Sequence, residues 1–246
     1  MTVAEAVGCF PPADLAELTA LADLQARVDR KYIVDRTVLE VVVASQPSSA
    51  AALELDAERA FDYRSQYFDT PDLLLYREAA QRRRRQFKVR TRSHGGSSGL
   101  VLEVKTKGRR GLTIKARTPH SSGSAAKLED VDRRFIGGVV DRDSVVANLI
   151  PTLTTEYRRS TLVDRALWTR TTVDESVRCT DWRGAVVGLD DIVIETKSAG
   201  SASVTDRILW SMGIRPVRLS KFCTSLAALH PDLPSNRWSR TLRRHF

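Results

Sequence analysis

Charged and apolar positions alternate through residues 87–92. Lys88, Arg90 and Arg92 are spaced two apart, and apolar or β-branched residues stand between them. Successive side chains of a β-strand point to opposite faces, so this pattern predicts a strand with one basic face. Residues 94–99 are rich in glycine and serine, which predicts a hairpin loop after the strand.

A second alternating segment follows at residues 100–107. Glu103, Lys105 and Lys107 share one face of it, and apolar residues line the other. If the charged faces of the two segments coincide, five cations meet one carboxylate. Such a face is not neutral by itself and indicates an anionic ligand. For any single segment, the alternative is an ordinary solvated strand face.

The same design recurs in other predicted strands. It is found at residues 29–31, 112–117, 157–159, 170–174 and 192–197. Several strands that each have one charged face predict a sheet curled around a polar interior. Two like charges about 4 Å apart repel by roughly 4 kcal/mol at an effective dielectric of about 20. A polyanion together with a metal ion is therefore the expected occupant of that interior.

The remaining pattern predicts helices around these strands. Helices are expected at residues 12–27, 37–44, 72–80, 144–149, 203–213 and 222–229, and further strands at residues 53–55, 61–68 and 177–187. Capping-box spacing marks helix starts at Thr37 and Ser203, and Asp72 is expected to cap the helix that follows it. Residues 47–52 are expected to form a turn or loop, whereas residues 119–143 support no prediction.

Length and composition indicate one globular domain. The 246 residues are 42% hydrophobic and 28% charged, which suffices for a substantial core. We expect a single domain over residues 1–246, with an N-terminal helix within 1–26, a core over 27–225 and a basic tail over 226–246. The net charge of +9 indicates phosphate-rich partners. The few aromatic residues do not interleave with the basic runs, which argues against nucleic acid as the partner.

Cysteine usage and hydropathy bear on the compartment. Cys9, Cys179 and Cys223 are far apart and odd in number, so they predict neither a disulfide framework nor a zinc site. No apolar run approaches the roughly 18 to 20 residues of a membrane span, and the first residues lack the layout of a signal peptide. A soluble, cytoplasmic protein is the expectation.

Seven short motifs, in one order along the chain, are similar to those of a known family. They are Asp29-Arg-Lys-Tyr32, Tyr67-Phe-Asp-Thr70, Lys88-Val-Arg-Thr-Arg92, Leu102-Glu-Val-Lys105, Tyr157-Arg-Arg159, Ile194-Glu-Thr-Lys197 and Ser220-Lys-Phe222. Together they resemble the VTC (vacuolar transporter chaperone) polyphosphate polymerase domain. That family belongs to the triphosphate tunnel metalloenzymes, or CYTH superfamily. The resemblance implies an α+β fold in which an antiparallel β-barrel tunnel of about eight strands has a basic interior and is covered by several helices.

The resemblance also implies roles for individual residues. It implies catalytic roles for Arg90, Arg92, Lys105, Arg159 and Arg170, and phosphate binding by Lys31, Lys115, Tyr157, Arg218, Ser220 and Lys221. Lys88, Lys107 and Lys197, on the same charged faces, are added to the phosphate-binding set. Glu195 matches the family's metal ligand, Glu103 is the next candidate, and Mn²⁺ or Mg²⁺ is the expected ion. ATP or another triphosphate, and polyphosphate, are the implied ligands.

One motif departs from the superfamily pattern. The opening Glu-x-Glu-x-Lys reads Arg27-Val-Asp-Arg-Lys31 here, with one carboxylate lost and the other shortened. This puts in doubt metal chemistry of the triphosphatase type, which depends on those glutamates. The membrane segments and regulatory domain of eukaryotic family members have no counterpart in this sequence. Coupling to transport, and any membrane-protein partner for the product, are therefore left open.

Metal-dependent polyphosphate synthesis from the γ-phosphate of ATP is the leading functional hypothesis. Phosphoryl transfer requires aligned reactants and stabilised charge rather than a protein nucleophile, and the planar forks of arginine suit phosphate oxygens. The alternatives are an inorganic or nucleoside triphosphatase, and a non-catalytic binder of polyphosphate or nucleotide. For Glu195 and Lys197, the alternative is a cross-strand ion pair.

Overall fold

The structure is a computed structural model that describes residues 2–22, 28–94, 99–107 and 113–246. The helices in these ranges are α1 (Val3–Val7), α2 (Leu15–Ala22), α3 (Arg36–Ala44), α4 (Leu74–Ala80), α5 (Asp130–Val140), α6 (Asp143–Ala147), α7 (Val204–Ser211), α8 (Lys221–Leu229) and α9 (Ser239–His245). The strands are β1 (Pro12–Ala13), β2 (Val28–Val34), β3 (Ala50–Leu53), β4 (Phe61–Asp69), β5 (Phe87–His94), β6 (Val101–Lys107), β7 (Thr113–Pro119), β8 (Ile150–Asp164), β9 (Thr169–Asp181), β10 (Val186–Leu189) and β11 (Ile192–Ser198). The predicted α+β class is confirmed.

Strand pairing is mostly antiparallel, as predicted. The pairs β2–β11, β9–β11, β3–β8, β4–β5, β5–β6 and β6–β7 are antiparallel, and β1 pairs with β3 in parallel. Within the described ranges the hydrogen-bonded order ends at β2 and at β7, so the pairing leaves the sheet open rather than closing it into a barrel. Among the helices of those ranges, none combines the length and apolar character that crossing a membrane requires.

The chain forms two compact units. Unit 1 contains Met1–Asp62, Tyr157–Val177 and Leu189–Arg218, and unit 2 contains Tyr63–Glu156, Arg178–Gly188 and Leu219–Phe246. The long strands β8 and β9 therefore contribute residues to both units, whereas every other described strand except β4 and β10 lies within one of them.

Unit 1 is a two-faced sheet with its apolar side under helices. Strands β2, β11, β9 and β8 are neighbours in that order. Tyr32, Val173 and Ile194 lie on the apolar face and pack in one buried cluster with Leu39 of α3 and Leu209 of α7. The period of two that buries these side chains turns their charged neighbours to the opposite face. This is the alternation that the sequence predicted.

Unit 2 follows the same plan with strands β4, β5, β6 and β7. Val89, Leu102 and Val104 are fully buried and form a cluster with Leu75 of α4 and Ile136 of α5. Helix α6 packs on the same side, and β4 is also a neighbour of β8. Burial of this face at roughly 25 cal/mol per Å² of apolar surface is the main force that orders the strands. The basic residues of β5 and β6 are thereby left on the opposite face.

Two predicted helix starts have different outcomes. Ser203 caps α7 as predicted, in a reciprocal capping box with Asp206. Near the other predicted start, Thr37, the helix is present as α3, but its cap is Asp35, whose carboxylate accepts the Val38 N–H at 2.8 Å. The prediction of Thr37 as that cap is therefore wrong by two positions. Aspartate in an extended conformation fills this role as well as threonine does.

Helix α4 is held by a residue that the sequence analysis did not select. The carboxylate of Asp69 accepts the N–H of Leu75 at 2.8 Å and the N–H of Tyr76 at 2.9 Å. Asp72, the predicted cap, instead accepts the hydroxyl of Thr70 at 2.6 Å. The prediction of the helix is confirmed and the prediction of its cap is wrong.

The N-terminal segment differs most from prediction. Pro12–Ala13 forms β1 rather than a helix, because it pairs with residues 52 and 53 of β3, and the helix begins only at Leu15. Helix α1 was not predicted, and Ala50–Leu53 is a buried strand where a turn or loop was expected. Residues 23–27, at the end of the predicted helix, lie outside the described residues.

The other element predictions need smaller corrections. Helix α5 lies within the range for which no prediction was made. Residues 177–187, predicted as a pair of short strands, are the end of β9 and the start of β10. The predicted hairpin loop after β5 falls largely on residues 95–98, which lie outside the described residues.

Candidate functional site

Unit 2 presents a basic face built from β5, β6 and β7. The register places Arg90 opposite Glu103 and Glu103 opposite Arg117, and it places Lys88 opposite Lys105. Directly opposed residues of antiparallel strands point to the same face, so these side chains are neighbours across the sheet. We call this surface the unit 2 face. Its charged members are Lys88, Arg90, Arg92, Glu103, Lys105, Lys107, Lys115 and Arg117.

Glu103 is the carboxylate at the centre of the unit 2 face. It is only 2% exposed and lies 2.7 Å from Arg90 Nη2, 3.1 Å from Lys105 Nζ and 3.4 Å from Arg117 Nε. Burial by itself would raise the pKa of Glu103, but the surrounding cations, Arg90 first, outweigh burial and hold this pKa below the ordinary value. The carboxylate therefore stays charged and fixes the side chains around it.

A second set of contacts extends the unit 2 face to helix α8. Lys88 Nζ donates to Ser220 Oγ at 2.8 Å, and Ser220 in turn caps α8 by accepting the Cys223 N–H. The ring of Phe222 stacks on the ring of Tyr67, with centroids 5.0 Å apart. The hydroxyl of Tyr67 accepts from Arg90 at 3.1 Å. Lys88 and Ser220, both predicted phosphate-binding residues, are thus brought together, and Lys221 begins the same helix.

Unit 1 presents a second charged face, built from β2, β11, β9 and β8. In the register, Glu195 lies between Lys31 of β2 and Thr172 of β9, and Lys197 lies between Asp29 and Arg170. We call this surface the unit 1 face. It contains Asp29, Lys31, Tyr157, Arg159, Arg170, Thr172, Asp174, Glu195 and Lys197.

Two carboxylates of the unit 1 face, Asp29 and Glu195, are bound to lysines. Lys197 Nζ lies 3.2 Å from Asp29 Oδ2 and also donates to Glu195 Oε1, while Lys31 Nζ lies 3.8 Å from Glu195 Oε2. Burial would raise the pKa of Glu195, but Lys31, Lys197 and Arg159 hold it well below the ordinary value. The cross-strand ion pairing that was the alternative interpretation of Glu195 and Lys197 is present, since each pairs with a residue of β2, and the two also pair with each other within β11.

Arg159 is anchored by a carboxylate that was absent from the predicted site. Its Nε and Nη2 atoms donate to the two oxygens of Asp174 at 2.5 and 2.8 Å, and Asp174 is fully buried. Burial would lower the pKa of Arg159, but Asp174 holds it above the ordinary value. The guanidinium also lies over the ring of Tyr157, 5.1 Å from its centroid. The signal for Asp174 is in the sequence, since it shares the alternating face of β9 with Arg170.

Each face also carries a buried hydroxyl group that has no hydrogen-bond partner among the residues the structure describes. Thr172 Oγ1 lies next to Glu195 in the register, and Ser65 Oγ lies opposite Arg92; neither forms a hydrogen bond with the described residues. Buried hydroxyl groups are usually paired. Both are therefore available to a water molecule or to the oxygen of a ligand.

The carboxylates of the two faces do not fit a preformed metal site. In the described ranges, no group of three or more His, Cys, Asp or Glu side chains is arranged to hold a metal ion. Glu103 and Glu195 are each surrounded by ammonium or guanidinium groups instead. Metal ligation by Glu195 and Glu103, and the identity of the ion as Mn²⁺ or Mg²⁺, stay predictions.

The predicted site residues thus separate into two groups. The unit 2 group comprises Lys88, Arg90, Arg92, Glu103, Lys105, Lys107, Lys115, Ser220 and Lys221, and the unit 1 group comprises Lys31, Tyr157, Arg159, Arg170, Glu195, Lys197 and Arg218. Lys107 is exposed at the end of β6, and Arg218 is exposed in a segment that is tied to β2 by the Val217 N–H, which donates to the Lys31 carbonyl at 2.7 Å. Sequence reasoning missed Asp174 as the partner of Arg159 and Tyr67 as the partner of Arg90.

Comparisons with known proteins add a family match. The model of a family described as the VTC domain matches residues 26–230. No curated protein matches the chain. Among solved structures, the PH1819 protein of Pyrococcus horikoshii OT3 is 18% identical at a TM-score of 0.45, with 80% of this chain and 94% of that chain covered. The Hippeastrum protein HpAC1, described as having a dominant triphosphatase activity, is 12% identical at a TM-score of 0.44, with 80% and 94% covered.

Proposed function

This chain belongs to the VTC domain family, and on that premise we propose that it extends polyphosphate with the γ-phosphoryl group of ATP. The family match supports phosphoryl transfer that involves a triphosphate. The choice of polymer synthesis over hydrolysis, and of ATP as the donor, is the finer part of the proposal. A product assay with ATP distinguishes polymer synthesis from hydrolysis.

The excess of fixed cations on the unit 2 face is the observation that carries the proposal. Glu103 is the one carboxylate among the charged members of that face, and seven lysines and arginines share the face with it on the three strands. A guanidinium or ammonium that is already held in place loses little conformational freedom when a phosphate arrives. A ligand with several adjacent phosphates matches such a row of cations better than a single anion does.

Phosphoryl transfer requires the protein to align the reactants and to stabilise charge on the transferred group. In the proposed step, a terminal oxygen of the polyphosphate chain attacks the γ-phosphorus, a new P–O bond forms, and the bond between the γ-phosphorus and the bridging oxygen breaks. ADP leaves with the electron pair of that bond. Lysine and arginine side chains stabilise the charge on the phosphoryl oxygens, and no covalent intermediate on the protein is required.

A product assay tests this function. Purified protein is incubated with ATP and Mn²⁺, and polymer and free phosphate are measured separately. We expect polymer from the wild type. Lys88→Met should lower the rate by about tenfold or more, because it removes a phosphate-facing cation without leaving a buried charge unpaired. Arg64→Met is the matched control, since Arg64 is exposed and its ion pair is with Glu156 rather than with a site residue.

The outcomes separate the candidate activities. Polymer that is reduced in Lys88→Met and unchanged in Arg64→Met supports the proposal. Free phosphate without polymer would replace it with triphosphate hydrolysis. Neither product, with several metals and nucleotides, would leave only a polyanion-binding protein.

A further inference from the structure

Two carboxylates on the unit 1 face share one ammonium group. Asp29 lies directly opposite Lys197 in the register, and Glu195 lies two residues before Lys197 on the same face of β11. Lys197 Nζ contacts Asp29 Oδ2 at 3.2 Å and donates to Glu195 Oε1. The side chain of Lys197 is 13% exposed and that of Glu195 is 14% exposed, so solvent screens this contact only partly.

The place that this ammonium fills is suited to a cation. Asp29 and Glu195 are diagonal neighbours on adjacent strands. Such residues are about 7 to 8 Å apart, so their carboxylates can converge on one ion. Mg²⁺ and Mn²⁺ are commonly bound by one or two carboxylates plus water or phosphate oxygens. An ammonium group and a divalent ion compete for the same carboxylate oxygens. Their positive charges also repel each other when both lie close to those oxygens.

We infer that Lys197 is a built-in cation that occupies the position between Asp29 and Glu195 and excludes a divalent metal ion from it in the free protein. Lys31, which lies 3.8 Å from Glu195 Oε2, adds to the exclusion. The inference explains why carboxylates that lie on one face do not form a metal site. A divalent ion that acts at Glu195 must first displace Lys197.

Binding of Mn²⁺ to the protein without nucleotide tests the inference. The free-ion signal of Mn²⁺ in electron paramagnetic resonance is recorded while protein is added. We expect no stoichiometric binding by the wild type. Lys197→Met should bind one Mn²⁺ per chain at least about tenfold more tightly than the wild type, because it empties the position and removes a positive charge.

Two further variants make the test specific. Lys197→Arg keeps the positive charge and should behave as the wild type does. Adding Asp29→Asn to Lys197→Met should abolish the gained binding, because one of the two carboxylates is lost. Lys197→Gln serves in place of Lys197→Met if circular dichroism shows that the latter is unfolded.

The Mn²⁺ binding measurement does not depend on the proposed catalytic activity, since neither ATP nor polymer is present. Stoichiometric Mn²⁺ binding by the wild type would overturn the inference, as would a folded Lys197→Met or Lys197→Gln that gains none. Loss of polymer synthesis in the product assay would leave the inference intact. Gain of Mn²⁺ binding in the variant, lost again with Asp29→Asn, would establish it.

Discussion

At the scale of single residues, the charged faces depend on buried carboxylates that neutralise part of the positive charge. Glu103 contacts three cations of the unit 2 face, and Asp174 holds Arg159 through two hydrogen bonds. Without such groups, neighbouring lysines and arginines would repel one another in the absence of ligand. The carboxylates therefore lower the repulsion between these cations and hold their side chains in position.

Glu103→Gln tests this role through the pH dependence of stability. The cations around Glu103, against the effect of burial, lower its pKa below the ordinary value of 4.5. A carboxyl whose pKa is lowered on folding adds stability that is complete above the unfolded pKa and is lost as the pH falls through the folded pKa. At pH 7, we expect the variant to lose about 3 kcal/mol of unfolding free energy, because the partner charges are left uncompensated.

The difference in unfolding free energy between Glu103→Gln and the wild type should shrink as the pH falls from about 5 to about 3. Over this range the wild type loses the contribution of the charged Glu103, which the variant lacks at every pH. Urea unfolding at a series of pH values measures it. Glu156→Gln is the control, since its ion pair with Arg64 is exposed and is expected to contribute less than about 1 kcal/mol. A constant difference across this pH range would contradict the assigned role of Glu103.

At the scale of elements, helix α4 depends on one side chain from the preceding strand. Asp69 accepts the N–H groups of Leu75 and Tyr76 in the first turn of the helix, which would otherwise be buried without acceptors. Burial is the main cause that raises the pKa of Asp69 to about 6, and the backbone donors oppose it. A strand residue thus sets where the helix starts.

Asp69→Ala should cost about 3 kcal/mol of unfolding free energy, because the buried N–H groups of Thr70, Leu75 and Tyr76 lose their acceptor. Asp72→Ala is the control and should cost less, since the Asp72 carboxylate accepts only the Thr70 hydroxyl among the hydrogen bonds described for it, and its carbonyl, which accepts from Arg77 Nε, is kept. Chemical denaturation of the wild type and both variants measures these losses of unfolding free energy. Equal losses would show that Asp69 does not anchor the helix.

The pH dependence of this contribution has the opposite sign to that of Glu103. The folded pKa of Asp69, about 6, lies above the ordinary value of 3.8. The folded protein therefore holds a proton that the unfolded chain releases between these values, and stability from this group falls as the pH rises through that window. The difference between the wild type and Asp69→Ala should accordingly be larger near pH 4 than near pH 7.

At the scale of the whole molecule, the net charge of +9, which includes the charges of the two faces, attracts polyanions. Association with a polyanion releases the counterions that surround it, so the affinity depends on salt. We expect binding of labelled polyphosphate to weaken by about tenfold or more between about 50 and 200 mM salt. Fluorescence anisotropy across this range measures the effect.

A variant identifies which cations contribute. Lys88→Met should lower the magnitude of the logarithmic salt slope by about 1, because one phosphate contact is lost. Arg64→Met should leave the slope unchanged, since Arg64 faces away from the site in the alternation of β4. Binding that does not change with salt would contradict recognition through these cations.

The sequence by itself determined which side chains share a face. Lys88 with Arg90, and Glu195 with Lys197, are two residues apart, and a period of two needs no long-range information. The same local signal predicted most strands and the helices α3, α7 and α8 to within a few residues. The seven ordered motifs were sufficient to identify the family.

The tertiary structure decided which residues meet across strands. Lys197 reaches Asp29 although the two are far apart in sequence, because the register of β11 on β2 is set by burial of the apolar face as a whole. Strand β1 exists only because β3 lies beside it, and Asp69 caps α4 only because the chain turns back toward it. Local patterns specify faces and helix propensity, whereas the partner of each charge follows from packing between distant segments.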